Sequence, residues 1–167
     1  MRNHFHLAVE TPEPNLVEGM HWVQCTYATR YNRYRGEMGH LFQGRYKALL
    51  MENDMVLARV VDYIHLNPVR AAVVPPDRAH EFRWSSLGVM ARPAEERPPV
   101  VSARWMQALG IDHTPVGLRD YRDHLAARFS ILDHDQERRA LCRGWAIGTS
   151  AWKRALAKDQ QALALHR

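Results

Sequence analysis

The stretch of sequence that decides the fold runs from Asn53 to Ala71 and reads NDMVLARVVDYIHLNPVRA. Its apolar side chains recur at positions i, i+3, i+4 and i+7, which is the spacing of one stripe along an α-helix. The members of this stripe are Leu57, Val60, Val61 and Ile64. Asn53 or Asp54 is a suitable N-cap, and Pro68 indicates that the regular helix ends near Asn67. We therefore predict an amphipathic helix whose apolar stripe faces the core.

The opposite face of this helix has an unusual composition. It carries Arg59, Tyr63 and Arg70, with Asn67 at its edge. A face that serves only solubility more often carries Glu and Lys. We predict that this outward face, together with two histidines near the start of the chain, carries the chemistry of the protein.

Those histidines lie in residues 3–10, NHFHLAVE, where apolar and other residues alternate. Alternation with a period of two is typical of a half-buried strand. Phe5, Leu7 and Val9 would face the core, and His4 and His6 would project side by side from the other face. Two imidazoles at i and i+2 suit adjacent positions on one metal ion, although packing or surface histidines are the commoner explanation of such a pair.

A second alternating segment, residues 41–52 (LFQGRYKALLME), predicts another strand after a helix at residues 15–35. Arg45 and Lys47 would emerge together on one face of the sheet. Paired cations in that position are better explained by contact with phosphate groups than by solvation alone.

The composition becomes helical in the last third of the chain. Residues 91–101, rich in Pro, Glu and Arg, are the best candidate for a linker. Thr114 and Pro115 form a favourable N-cap and first-turn pair. Helix-like patterns cover residues 103–109, 115–129, 133–143 and 149–165. We therefore predict a core at residues 1–90, a linker at 91–101 and a helical region at 102–167. The sequence does not decide whether the helical region contacts DNA.

Composition points toward a polyanionic partner. Lys and Arg exceed Asp and Glu by 23 − 18 = 5 among the 167 residues, and the pI is about 9.6. Such a balance favours nucleic acid, although a merely basic protein would show it too. The two cysteines form no CxxC pair, and neither a membrane-spanning apolar run nor a signal peptide is evident. We expect a cytoplasmic protein without membrane contact.

A tyrosine hydroxyl can attack a phosphodiester covalently when a metal ion polarises the phosphoryl group. Several segments of the sequence resemble a known family. NHFHLAVE resembles the strand of histidine, hydrophobic residue and histidine in the single-tyrosine HUH transposases. HLFQGRYKALLME followed by VVDYIHLNPVRAAVV resembles the most characteristic part of the REP-associated tyrosine transposases within that family. FRWSSLGVM and GWAIGTSAWKRAL are similar to their later segments, so the resemblance covers nearly the whole chain.

The resemblance implies an α+β fold, in which a ferredoxin-like antiparallel sheet carries helices on one face and a helical region follows. It implies cleavage and joining of single-stranded or hairpin DNA through a 5′-phosphotyrosine. By residue match, Tyr63 is the nucleophile, and His4 and His6 bind Mg²⁺ or Mn²⁺. Asn67 matches a third metal ligand, although it also suits a C-terminal cap. We expect DNA contacts at Arg45, Lys47, Arg59 and Arg70.

The chain departs from the family at its start. Family members carry a strand, a helix and part of another strand before the histidine strand, so we expect the N-terminal strand and helix of the core to be missing. A catalytically inactive DNA-binding remnant is therefore the main alternative to an active enzyme. A helical structural or interaction protein is a further alternative. Either a monomer or a homodimer is compatible with the resemblance.

Overall fold

The computed structural model describes residues 3–165, with all side chains in this range except those of residues 94 and 163–165. Within this range the chain is mostly helical. Two 3₁₀ turns lie at Pro76–Glu81 and Ala94–Glu96. The helices and strands are α1 (Leu16–Arg35), β1 (Leu50–Met51), α2 (Asp54–Arg70), α3 (Ser86–Met90), α4 (Arg104–Ala108), α5 (Pro115–Ile131), α6 (His134–Cys142), β2 (Ala146–Ile147) and α7 (Ser150–Leu165).

The predicted ferredoxin-like antiparallel sheet is wrong. The sheet of the described residues has two short strands that pair in parallel, with Leu50 opposite Ala146 and Met51 opposite Ile147. Residues 3–10 contain no strand, and only two residues of 41–52 are in a strand. Alternation alone does not make a strand, because the backbone donors and acceptors also need a neighbouring strand. Phe5, Leu7 and Val9, predicted to face a core, remain about half exposed.

The chain divides into two compact units. The smaller contains residues 9–48, and the larger contains residues 3–8 and 49–165 of the described chain. In the smaller unit, α1 ends at Gly36, whose φ of 66° is the left-handed conformation that glycine adopts without strain. The rings of Tyr27 and Tyr31 stack along α1 with their centroids 6.1 Å apart.

The larger unit is organised around α2. Ala58 and Leu66 of this helix are fully buried, and Met106 of α4 and Tyr121 of α5 are buried in the same apolar cluster. Segments on both sides of the predicted linker at 91–101 therefore share one core. A second cluster contains Tyr63, Leu141 and Ile147 and lies between α2, α6 and β2.

The start of α2 confirms the prediction, whereas its end and its faces do not. The Asn53 side chain accepts a hydrogen bond from the Val56 N–H at 3.0 Å, as an N-cap should. The helix continues through Pro68 to Arg70 instead of ending near Asn67. Almost every residue from 61 to 69 is buried, so the face that we predicted to be outward is an interior face.

The helices of the last third were predicted more accurately. Those predicted at 103–109, 115–129, 133–143 and 149–165 correspond to α4, α5, α6 and α7, with ends that differ by at most two residues. Thr114 caps α5 by accepting a hydrogen bond from the Gly117 N–H at 3.0 Å. Among the described residues, no helix combines the length and the apolar character needed to cross a membrane.

Candidate functional site

Tyr63 lies on α2 in the second apolar cluster and is only 6% exposed. Two turns further along the same helix, Arg70 folds back so that its guanidinium carbon lies 3.7 Å from the centre of the Tyr63 ring. Positions i and i+7 share a helix face, which makes this contact local. The tyrosine therefore lies beneath a cation on its own helix.

The structure brings the predicted histidine segment to this tyrosine. The His6 ring meets the Tyr63 ring edge to face with centroids 5.7 Å apart, and the His4 ring lies 5.1 Å from that of His6. Burial lowers the pKa of His6, with a further contribution from the nearby positive charges of His4 and Arg70. His6 is therefore held in its neutral form. His4 is exposed and shares a 2.8 Å hydrogen bond with Asn3.

The Tyr63 hydroxyl is covered by a residue that the sequence did not indicate. The Cys142 thiol, at the end of α6, donates a hydrogen bond to it across 3.2 Å. Burial, followed by this hydrogen bond, raises the pKa of Tyr63 to about 12, although Arg70 and Arg138 act in the opposite direction. The hydroxyl is therefore protonated at neutral pH in this arrangement.

Asn67, the predicted third metal ligand, is already engaged. Its side-chain oxygen accepts a hydrogen bond from Arg70 Nη2 at 2.8 Å, and the same nitrogen donates to the Tyr63 carbonyl at 2.8 Å. The Asn67 amide nitrogen is buried and has no hydrogen-bond partner within residues 3–165. A guanidinium thus lies where a metal ion would need this oxygen.

As arranged, the predicted ligands His4, His6 and Asn67 do not fit Mg²⁺ or Mn²⁺. These ions prefer oxygen ligands, and the one amide oxygen of the set is bound to a cation. The described part of the chain also contains no group of three His, Cys, Asp or Glu side chains that could hold a metal.

The predicted DNA-contacting arginines of α2 both point toward one buried carboxylate. Glu137 of α6 lies 3.6 Å from Arg70 and 3.9 Å from Arg59. Arg128 of α5 pairs with the same carboxylate. Arg70 is therefore part of an internal ion-pair cluster, whereas Arg59 remains about half exposed and available to an external anion.

Arg45 and Lys47 belong to the smaller unit. Both side chains are exposed. Neither residue lies in a strand, so the structure does not pair them across a sheet face. Their predicted role in DNA contact rests on their exposure and charge.

Sequence reasoning missed a network of hydrogen-bonded polar side chains on the other side of α2. The Tyr121 hydroxyl donates to Asp62 at 2.9 Å and therefore accepts from Nδ1 of His65, 3.0 Å away. Nε2 of His65 then accepts from the Ser86 hydroxyl at 2.9 Å. Burial lowers the pKa of His65 to about 4, which agrees with this neutral tautomer. His124 Nε2 also contacts Asp62 at 2.8 Å.

The signal for this hydrogen-bonded network was present in the sequence. Asp62 and His65 are polar residues at i and i+3 in an otherwise apolar stretch, so they share one face of α2. Polar groups on such a face need internal partners, and α5 supplies them. Nothing in the sequence pairs Cys142 with Tyr63, because the two residues are 79 positions apart.

Comparisons of the chain with models of protein families, with curated proteins and with solved structures gave no match.

Proposed function

We propose that this chain is a DNA strand transferase of the kind that its resemblance to the REP-associated tyrosine transposases implies. Its substrate would be single-stranded or hairpin DNA, and Tyr63 would be the nucleophile. The observation that carries the proposal is the contact between the His6 and Tyr63 rings, whose centroids lie 5.7 Å apart. Residues 57 positions apart in sequence, each matching a functional position of the resembled family, are neighbours in space.

In the proposed reaction the Tyr63 oxygen attacks a backbone phosphorus. A bond forms between this oxygen and phosphorus, and the bond from phosphorus to the 3′ oxygen of the preceding nucleotide breaks. The tyrosine loses its proton and the departing oxygen gains one, which leaves a 5′-phosphotyrosine and a free 3′ hydroxyl. Joining is the reverse attack by a 3′ hydroxyl.

The surroundings of Tyr63 set a condition on this reaction. The hydroxyl is buried, accepts a hydrogen bond from the Cys142 thiol and is protonated at neutral pH. DNA must therefore displace the thiol before the hydroxyl reaches a phosphate. The proposal accordingly includes a local movement of the end of α6 on substrate binding.

The experiment uses a hairpin oligonucleotide labelled at its 3′ end, incubated with the protein and Mn²⁺. We expect a labelled protein band on a denaturing gel, because the fragment that stays attached carries the 3′ label. The same oligonucleotide labelled at its 5′ end should give a shortened free fragment and no labelled protein. A parallel reaction with a chelator tests the predicted dependence on Mg²⁺ or Mn²⁺.

The matched variants are Tyr63→Phe and Tyr34→Phe. Tyr34 is an exposed tyrosine of α1, so its substitution should leave the adduct intact. Tyr63→Phe should abolish the adduct. A covalent adduct that persists in Tyr63→Phe would show that another residue is the nucleophile and would end the proposal.

A second candidate is a DNA-binding protein without cleavage activity. Two observations favour it: the Tyr63 hydroxyl is covered by Cys142, and the Asn67 oxygen is taken by Arg70. This candidate predicts hairpin binding that weakens with salt, depends on Arg45 and Lys47 and is indifferent to a chelator. Cleavage, or loss of binding on chelation, would exclude it.

Both candidates place the protein with DNA in the cytoplasm, as a monomer or a homodimer. Light scattering of the protein with and without a hairpin would distinguish the two oligomeric states.

A further inference from the structure

A cavity of about 470 Å³ opens beside α6. Its lining residues are Asp135, Arg138, Arg139, Cys142 and Arg143. The residues repeat at i and i+4, since Arg138 precedes Cys142 and Arg139 precedes Arg143 by four positions. Arg138 and Cys142 therefore share one side of α6, whereas Arg143 directly follows the helix as its C-cap in an extended conformation. Glu137 and Leu141, the buried residues of α6, form a separate column on its interior side.

The charge of this cavity is positive. Three guanidinium groups and one carboxylate give a net charge of 3 − 1 = +2 for its lining. Arg138 pairs with Asp135 at 3.3 Å, and Arg139 donates to the Asp135 backbone carbonyl at 3.2 Å. Arg143 makes no hydrogen bond or ion pair with any side chain that the structure describes. All three arginine side chains are exposed, so they are accessible to a ligand.

The cavity is one side chain away from the Tyr63 hydroxyl. Cys142 lines it and donates its thiol hydrogen bond to that hydroxyl at 3.2 Å. Arg138 lies near enough for its charge to lower the pKa of Tyr63 against the effect of burial. An anion bound by these arginines would therefore lie next to the thiol that covers the tyrosine.

We propose that the arginines of this cavity bind the phosphate backbone of single-stranded DNA beside Tyr63, with Arg139 and Arg143 as the principal contacts. The inference rests on the proposed function for the identity of the DNA. Guanidinium groups suit phosphate because they donate in a planar fork, and three of the five residues that line the cavity are arginines. The last third of the chain thereby contributes directly to the DNA site.

Cys142 provides a reporter that does not depend on cleavage. The wild-type protein is treated with iodoacetamide in the presence of a chelator, with and without an oligothymidine, and alkylation of each cysteine is followed by peptide mass spectrometry. We expect DNA to slow the alkylation of Cys142 at least about fivefold. The protection should fall as salt rises, because phosphate contacts release counterions.

The matched variants are Arg139→Ala with Arg143→Ala, and Arg119→Ala, which removes an exposed arginine of α5 outside the cavity. Protection of Cys142 should be lost in the double variant and retained in Arg119→Ala. Arg143→Ala alone, which breaks no described contact, should lower the protection by an intermediate factor. Circular dichroism checks that each variant keeps its helices.

Equal alkylation of Cys142 with and without bound DNA would overturn the proposal, as would full protection in the double variant. Equal protection by inorganic phosphate at the same ionic strength would show that the cavity takes a free anion and would overturn DNA as its occupant. Protection without any covalent adduct would remove the proposed function but keep this site. A covalent adduct formed while Cys142 stays unprotected would support the proposed function and overturn this site.

Discussion

The two buried polar faces of α2 differ in the kind of interaction that joins their groups. On one face Asp62 and His65 are joined to Tyr121 by hydrogen bonds of 2.9 and 3.0 Å. On the other, the Asn67 amide nitrogen, Arg70 Nη1 and Glu137 Oε2 have no hydrogen-bond partner in the described chain. Arg70 Nη1 and Glu137 Oε2 instead lie 3.6 Å apart as an ion pair. We therefore expect the hydrogen-bonded face and the ion-paired face to respond differently to substitution.

The largest expected effect comes from Asp62→Ala. Its carboxylate accepts from Tyr121 and His124 and lies 3.3 Å from Arg128. Because the substitution leaves the buried Tyr121 hydroxyl without its acceptor and removes one of the two carboxylates beside the part-buried Arg128 guanidinium, we expect a loss of about 3–5 kcal/mol in the free energy of unfolding. Urea denaturation followed by circular dichroism measures it. Asp120→Ala, an exposed neighbour on α5, should change the same quantity by less than about 0.5 kcal/mol. A loss below about 1 kcal/mol for Asp62→Ala would contradict a structural role for this face.

A pH titration tests the same face without removing a contact. The pKa of His65 is about 4 in the folded protein against 6.5 for the free side chain. Between these values the unfolded chain binds a proton that the folded chain does not, so stability falls as the pH falls from 6.5 toward 4. We expect a loss of about 2 kcal/mol between pH 7 and pH 5 from this residue. Urea denaturation of the wild type and of His65→Gln at both pH values isolates this contribution. An equal loss of unfolding free energy between pH 7 and pH 5 in the two proteins would show that folding does not lower the pKa of His65.

The second face is tested by comparing Arg70→Lys with Arg59→Lys. Both side chains face Glu137, but Arg70 also donates to the Asn67 oxygen and the Tyr63 carbonyl at 2.8 Å. Lysine keeps the charge but lacks the planar guanidinium that lies over the Tyr63 ring while Nη2 donates both hydrogen bonds, so we expect Arg70→Lys to lower the free energy of unfolding by about 1–2 kcal/mol. Arg59 is half exposed and 3.9 Å from Glu137, and its change should be below about 0.5 kcal/mol. Equal losses would mean that these additional contacts of Arg70 contribute nothing to stability.

The smallest expected effect on stability is that of Cys142→Ala, below about 1 kcal/mol. The informative quantity is the pKa of Tyr63, now raised to about 12 partly by the thiol. Removing the thiol should lower this pKa. A titration of the ultraviolet absorbance of tyrosinate measures it, when the titration of the matching Tyr63→Phe variant is subtracted for the wild type and for Cys142→Ala. Cys25→Ala, which changes an exposed thiol of α1, should leave the pKa of Tyr63 unaltered. An unchanged pKa in Cys142→Ala would assign the whole shift to burial.

The sequence predicted the features that neighbouring residues determine. Asn53 caps α2 because its side chain reaches an N–H three residues away, and Thr114 does the same for α5. The predicted strands failed because alternation cannot report whether a partner strand exists. Phe5 and Leu7 alternate correctly and still face no core.

The candidate site divides in the same way. The proximity of His6 to Tyr63 agrees with the grouping that the resemblance implied, although an antiparallel sheet does not create it. The interior position of Tyr63 could not be read from α2, because a helix packed on nearly all sides has no solvent face to identify. Cys142, which bonds the Tyr63 hydroxyl, and Glu137, which pairs with Arg70, both come from α6. Only the tertiary fold determines which side chains of that helix reach α2.

The distance in sequence between Tyr63 and Cys142 has a consequence during synthesis. The thiol follows the tyrosine by 79 residues, which a ribosome adds in roughly 4–16 s at about 5–20 residues per second. During that interval Tyr63, Arg70 and Asn67 have been made, while the helix that covers them has not. The nascent chain therefore presents an uncovered tyrosine beside an arginine before the finished protein encloses it. The covering of Tyr63 is a late event in the history of each molecule.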